Sequence, residues 1–374
     1  MALHFDRSPL TYDEYVVGRF LVSTPKVVVV PKNKSFPFHA FRFTFYLLSL
    51  CANINKEKLL DVMLSRRVLR TKVVKAVYAH LQCEGATPAA SEKNLTLSID
   101  RAYDLYFHLL ALVPEIAEYA AERIRIGENK KLPTYDDLHP NRKFVENRVV
   151  VRLAEDENLQ AELKRRKLSW KNHRDLIVAL YNALIRQPFY LKYMASDERS
   201  LREDAQLVSD IYMTMLEEFE PLESVLEEQS ALWNDDLGFI LTMVSRTILS
   251  IRESHEEIKF LPQFKSDEDL DYAKSLLRNS IASFDRISLL LDNSLSNWDI
   301  ERVALMDQII LVTAIVEAEN FPSIPVRVTM NEYIDIAKCY STNSSGSFIN
   351  GVLDRIIVRL TEEGKIVKSG KGLL

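Results

Sequence analysis

Ser266-Asp267-Glu268-Asp269-Leu270-Asp271-Tyr272-Ala273 opens the stretch that decides the fold class. Ser266 with an acid three residues later has the spacing of a helix capping box, and further carboxylates lie near the positive helix end. Leu270, Ala273, Leu277, Ile281, Phe284, Ile287 and Leu291 then recur at helical spacing, so one long helix is expected across 266–297. Towards the C-terminus the signature repeats. Ser296-Asn297-Trp298-Asp299 precedes a helix carrying Val303, Met306, Ile309, Ile310, Thr313 and Val316, and Phe321 to Pro325 breaks it. Thr329-Met330-Asn331-Glu332 reads as a third capping box opening another helix. Ser344-Ser345-Gly346 separates a last helix that Gly364 can terminate.

Towards the N-terminus the helical period continues. Ser91 is expected to cap a long helix running towards Ile126, with Leu95, Ile99, Ala102, Leu105, Leu109, Leu112 and Ile116 on its stripe. Pro114 falls inside that pattern and predicts a kink or break. Residues 127–140 are loop-like, and 141–265 are helical but more polar. Within them Lys164, Arg165, Arg166, Lys167, Lys171 and Arg174 form a basic cluster, and 197–228 carry eleven acids against Arg199 and Arg202. Such runs are read as solvated helix faces or a contact surface for another protein. Residues 1–62 differ, with Val27–Val30 between prolines and a phenylalanine-rich stretch after it. They are read as an extension, untranslated or weakly held, with the native start expected at Met63. A docked strand at Val27–Val30 is the alternative, although a helical body offers it no sheet edge.

Composition agrees with an all-α chain. Nine glycines in 374 residues is about 2.4%, against a usual ~7%, which disfavours turn-rich β folds. Hydrophobic residues at 47% and charged residues at 27% fit a globular protein, and the net charge of −5 excludes a polycation but not a local basic patch. Three scattered cysteines, Cys51, Cys83 and Cys339, form no zinc or disulfide framework, and a cytoplasmic setting is expected. No apolar run is long enough to span a bilayer. The dinucleotide, P-loop and hydrolase signatures are missing, and His255-Glu256 lacks a second metal ligand because residue 259 is lysine. No enzyme, cofactor or metal is expected.

Residues 62–83 contain Arg66, Arg67, Arg70, Lys72 and Lys75 and no acid. A basic patch at a helix start can hold phosphates, and arginine can stack on unpaired bases; a solvated helix end is the plainer alternative. Further on stand Ile310-Leu311, Glu317, Ile324-Pro325-Val326, Asn331-Glu332-Tyr333-Ile334-Asp335-Ile336-Ala337-Lys338 and Ser347-Phe348-Ile349-Asn350-Gly351-Val352-Leu353-Asp354. In this order, after Trp298–Arg302, they resemble the C-terminal half of the NusB family of transcription antitermination factors. Arg66-Arg67, Arg70 and Val74-Lys75-Ala76-Val77-Tyr78 resemble that family's arginine-rich first helix.

The resemblance implies an all-α helical bundle of two packed subdomains. Residues 63–126 would form the N-terminal helices, 266–297 the third long helix of that subdomain, and 298–374 the C-terminal subdomain, with 127–265 an inserted helical region. It also implies binding of boxA-type single-stranded RNA from ribosomal-RNA transcripts, together with a small-subunit ribosomal protein (NusE), in an antitermination complex on RNA polymerase. Arg66, Arg67, Arg70, Lys72, Lys75 and Tyr78 are the RNA-binding residues it points to. A NusB-like methyltransferase would need a glycine-rich loop and a catalytic cysteine after this part, and neither follows. A helical interaction module that has lost RNA binding is the alternative. Val312 stands where the family usually has arginine. Gly351 inside the last helix costs about 1 kcal/mol against alanine; close backbone approach of a neighbour is expected there, with Asn350 bonding that neighbour.

Overall fold

A computed structural model describes residues 15–17, 29–31, 62–254, 257–294, 303–342 and 344–373. The proposed start at Met63 concerns residues that lie almost wholly outside these, as do His255-Glu256, Ser296–Asp299 and Trp298–Arg302. The chain divides into two compact units. One includes Leu64–Leu97 and the described residues from Phe264 onward, and the other includes the described residues of Ser98–Gln263.

The protein is all-α in class. The one pair of strands among the described residues is β1 (Tyr15–Val17) with β2 (Val29–Pro31), antiparallel, Val16 opposite Val30. This corrects the expectation at Val27–Val30. Val29–Pro31, the described end of the β-branched run, pairs with Tyr15–Val17 of the same N-terminal segment and needs no edge from the helical body.

The first unit is built on α1 (Arg66–Gln82), α12 (Glu268–Ala282), α13 (Phe284–Ser294), α14 (Leu305–Asn320), α15 (Val326–Tyr340) and α16 (Ser345–Glu362). Nearly every side chain of α14 is buried, polar ones included. Its sequence is apolar all round, which is the pattern of a central helix, and α1, α12, α13, α15 and α16 all pack on it. The single long helix expected over 266–297 is two helices. Ser283, at φ −101° and ψ 2°, ends α12, and neither proline nor glycine announces it. The box at Thr329–Glu332 does not open a helix either. α15 begins at Val326, after Pro325, so Thr329 and Glu332 lie inside it and spend their side chains on other helices. Beyond α16, Gly364 at φ +68° takes the left-handed terminating position its type favours. The chain then returns to the end of α14. There the Lys368 ammonium donates to the carbonyls of Ala318 and Phe321 at 2.9 and 3.1 Å, a cation on a helix C-terminus. A Cβ on Gly372 would lie 1.9 Å from the Pro322 carbonyl oxygen, so only glycine fits this turn.

Gly351 is corrected too. It is exposed, and a Cβ built on it meets nothing within 4 Å, so no neighbour approaches it and Asn350 beside it is also at the surface. A glycine inside a helix suggests a packed face; the buried face of α16 runs instead through Ile349, Val352, Leu353, Ile356 and Leu360. Gly351→Ala is therefore expected to raise stability by up to about 1 kcal/mol, read as a higher denaturant midpoint at unchanged slope. A lower midpoint would mean that the glycine is needed for space.

Helix α2 (Pro88–Leu110), whose residues from Ser98 onward belong to the second unit, ends at Ala111 and α3 (Leu112–Glu128) begins, giving the break predicted from Pro114. The proline ring excludes the carbonyl four residues back, that of Leu110. Nearby carbonyls find side chains: Trp170 Nε1 donates to His108 O at 2.8 Å and Tyr212 Oη to Leu109 O at 2.7 Å. The start of α2 is set by Thr87, whose hydroxyl accepts from Ala90 N, and by Pro88 in the first turn. Ser91, expected as the cap, lies inside the helix and bonds His80 instead.

After the short α4 (Tyr135–Leu138), the region read as helical from 141 onward contains α5 (Arg148–Glu155), α6 (Glu157–Arg166), α7 (Arg174–Leu184), α8 (Pro188–Ala195), α9 (Leu201–Asp210), α10 (Glu220–Gln229) and α11 (Leu237–Ser250). Asn147 and Asp156 cap α5 and α6. Lys143 is buried, its ammonium on the carbonyls of Tyr193 and Ser196 and on Glu203. Three of the six residues of the basic cluster are ion-paired among the described residues. Arg165 and Arg166 hold Glu162, Arg166 also holds Asp104, and Arg174 holds Glu122.

Candidate nucleic-acid interface

Helix α1 starts after Ser65 with no acid in its first turn. Arg66, Arg67 and Arg70 lie on one face, as spacings of three and four residues require, and each meets a carboxylate from another helix of the same unit. The Nε of Arg66 donates to Asp269 Oδ1 at 2.9 Å, and its guanidinium lies 4.9 Å from the centre of the Tyr272 ring. The other oxygen of Asp269 accepts from the backbone N–H groups of Lys265 and Ser266. This is the half of the 266–269 capping box that forms. Arg67 makes a bidentate pair with Glu332, 2.8 Å from Nε and 2.8 Å from Nη2, with Asp335 at 3.4 Å. These two side chains stay 37% and 30% exposed.

Arg70 is different. It is 4% exposed and grips Glu317, which is fully buried, with bonds of 2.7 and 3.0 Å. Glu317 also accepts from Tyr272 Oη, from Thr329 Oγ1 at 2.7 Å and from Tyr333 Oη at 3.3 Å. Burial pushes the Glu317 carboxyl up, but the Arg70 charge and the donated hydrogen bonds outweigh it and hold the carboxyl below its ordinary value. The buried charge is thus paired and its lone pairs are used, the condition under which a buried ion pair is tolerated.

Of the other residues singled out in the sequence, Lys72 and Tyr78 are buried, and burial raises the Tyr78 phenol. The Lys75 ammonium sits 4.9 Å from the centre of the Tyr340 ring. The helix start thus presents Arg66, Arg67 and Lys75 near the surface and turns Arg70, Lys72 and Tyr78 inward. Sequence reading missed the partners Asp269, Tyr272, Glu317, Glu332 and Asp335. Val312, which the resemblance sets against an arginine, is completely buried in α14. Among the described residues no His, Cys, Asp or Glu cluster could hold a metal ion, and no helix is long and apolar enough to cross a membrane.

The chain is 34% identical over 125 residues to the Transcription antitermination protein NusB of Salinibacter ruber, a match covering 33% of this chain and 78% of that relative. The chain belongs to the NusB family. The family model for NusB matches residues 242–358. NusB proteins of Chloroherpeton thalassium and Gloeobacter violaceus are 33% and 39% identical over 104 and 92 residues, covering 28% and 25% of this chain and about half of each relative, 49% and 44%. No solved structure matches the chain significantly. The segment matched by the NusB model contains Asp269, Glu317, Glu332 and Asp335, the carboxylates that receive the three arginines, whereas the arginines themselves precede it.

Proposed function

We propose that this NusB-family chain is a cytoplasmic, non-enzymatic transcription antitermination factor. It binds boxA-type single-stranded RNA of ribosomal-RNA transcripts together with the small-subunit ribosomal protein NusE, in an antitermination complex on RNA polymerase. The observation that carries this reading is the start of α1, where two guanidinium groups are fixed by carboxylates while remaining partly exposed. Arg66 bonds through Nε alone among the described residues, leaving its Nη edge for a phosphate, with Tyr272 against its face. Arg66, Arg67 and Lys75 contact the RNA; Arg70, Lys72 and Tyr78 support the helix from below.

The carboxylates also favour a second reading, a helical interaction module that does not bind RNA. Asp269, Glu317, Glu332 and Asp335 offset the three arginine charges, so the patch carries little net positive potential. Fluorescence anisotropy of a labelled boxA-like RNA, with and without NusE, separates the two. Under the RNA-binding reading, Arg66→Ala with Arg67→Ala weakens binding at least tenfold, and the salt slope falls by about 0.7 for each phosphate the variant no longer holds. Unchanged affinity and slope in that variant would refute the assignment. Absence of RNA binding by the parent protein, with NusE binding retained, would select the second reading.

A further inference from the structure

A cavity of about 420 Å³ opens within the first unit, where the start of α15, the exposed side of α16 and the last turn of the chain at Leu373 meet. Its volume lies in the roughly 300–1,000 Å³ range of small-molecule sites. Val326, Met330 and Leu373 supply apolar wall; Arg327 and Asn331 from α15 and Asn350 from α16 supply the polar groups. No carboxylate lines it among the described residues. The start of α1 is the reverse, since each of its arginines is already held by a carboxylate. Here the Arg327 guanidinium and both carboxamides are exposed, and none of these three side-chain groups makes a hydrogen bond or ion pair with another described residue. Asn331 and Asn350 also belong to the two family-like motifs, and nothing described so far uses them. Glu332, next to the first, serves Arg67, and Ile349, Val352 and Leu353, around the second, serve the core.

The ligand follows from these groups taken together. A carboxamide carries a donor and an acceptor side by side, and that pair matches the edge of a nucleobase, as asparagine matches N6 and N7 of adenine. A guanidinium with no carboxylate on it matches a phosphate. Methionine and aliphatic side chains suit the flat face of a base. An inorganic anion would use Arg327 and leave two carboxamides idle, and an apolar ligand would use none of the three. Guanine is the poorer base, because the two adjacent donors on its edge call for a carboxylate and the cavity has none.

We propose that this cavity is a nucleotide site that takes an adenosine 5′-phosphate unit, with the base on Asn331 and Asn350 and the phosphate on Arg327. Two sources carry that chemistry, a free nucleotide and an adenylate residue of an RNA strand. The site shares no residue with the arginines of α1, so it stands or falls apart from the RNA reading given to them.

Isothermal titration calorimetry of the full chain with AMP tests this. Saturable one-to-one binding is expected, with adenosine and GMP each weaker by about fivefold or more. Asn331→Ala and Asn350→Ala should each weaken AMP binding about fivefold, as for one lost hydrogen bond. Arg327→Ala should weaken it about tenfold or more, through the lost charge-assisted contact. In Arg327→Ala, AMP and adenosine should bind equally, an outcome that a general disturbance of the helix would not produce. All three positions are exposed, so melting temperatures should not move. Competition then identifies the source. Displacement of a labelled, adenine-containing single-stranded RNA by AMP, lost in Asn350→Ala, assigns the site to the strand; bound AMP that displaces no RNA assigns it to the free nucleotide. Absence of saturable AMP binding would overturn the proposal. So would AMP affinity unchanged in both Asn350→Ala and Arg327→Ala.

Discussion

Arg70→Ala is expected to destabilise the unit containing α1 and α14 by about 3–5 kcal/mol, the range seen when one partner of a buried ion pair is removed. Glu317 would remain fully buried with its charge uncompensated, and two of its hydrogen bonds would disappear. Thermal melting followed by circular dichroism should show a drop of roughly 10 °C, at about 2–4 °C per kcal/mol for a domain of this size. Arg70→Met with Glu317→Gln, which removes both charges, should recover most of that drop. Arg66→Ala and Arg67→Ala, at positions about a third exposed, should cost less, since Asp269 keeps two backbone N–H bonds and Glu332 stays partly exposed. A melting point for Arg70→Ala as high as for Arg66→Ala would show that the pair does not support the core. Because the folded Glu317 carboxyl is held below its unfolded value, its stabilisation is full above the ordinary glutamate range and is lost as pH falls below that range through the lower folded value.

The second unit is expected to lose stability on mild acidification through His108. Its ring is fully buried and stacked on Trp170 at 3.8 Å, and neither ring nitrogen has a hydrogen-bond partner among the described residues. Burial first, then the neighbouring His173, lowers its pKa to about 3 against a smaller opposing pull from Gln229. The unfolded chain takes up a proton below about 6.5 and the folded chain does not. Stability is therefore complete above that pH and falls by about 1.4 kcal/mol per pH unit towards pH 3. Urea denaturation at pH 7 and pH 5 should reveal a loss of about 2 kcal/mol, and His108→Phe should largely remove the difference. Equal pH dependence in the two proteins would mean that other groups dominate acid lability.

Elements whose signals are local could be read from the sequence. Pro114 separates α2 from α3, Phe321–Pro325 ends α14, and Gly364 closes α16, each through the backbone conformation its residue type permits. Where two local signals competed, sequence reading failed. Thr329-Met330-Asn331-Glu332 has the spacing of a capping box, but Pro325 had already started the helix, and the same spacing serves contacts to Glu317 and Arg67. The arginines of α1 were visible as an acid-free window, whereas their fates were not. Arg66, Arg70 and Arg67 meet carboxylates 203, 247 and 265 positions away, and nothing in the window distinguishes the one that is buried. Separation by burial appears only once α14 is placed at the centre of the unit.

The Arg70–Glu317 pair also constrains how this chain can change by descent. A lineage cannot exchange either residue first without passing through a form in which a lone charge is sealed inside the unit, so the two positions are inherited as a couple. Arg66 and Arg67 are bound less tightly, since Glu332 stays partly exposed and Asp269, though buried, keeps the backbone N–H groups of Lys265 and Ser266 when Arg66 is lost. Among related sequences of this long form, positions 70 and 317 should either stay fixed or switch together, while positions 66 and 67 drift with whatever surface they serve.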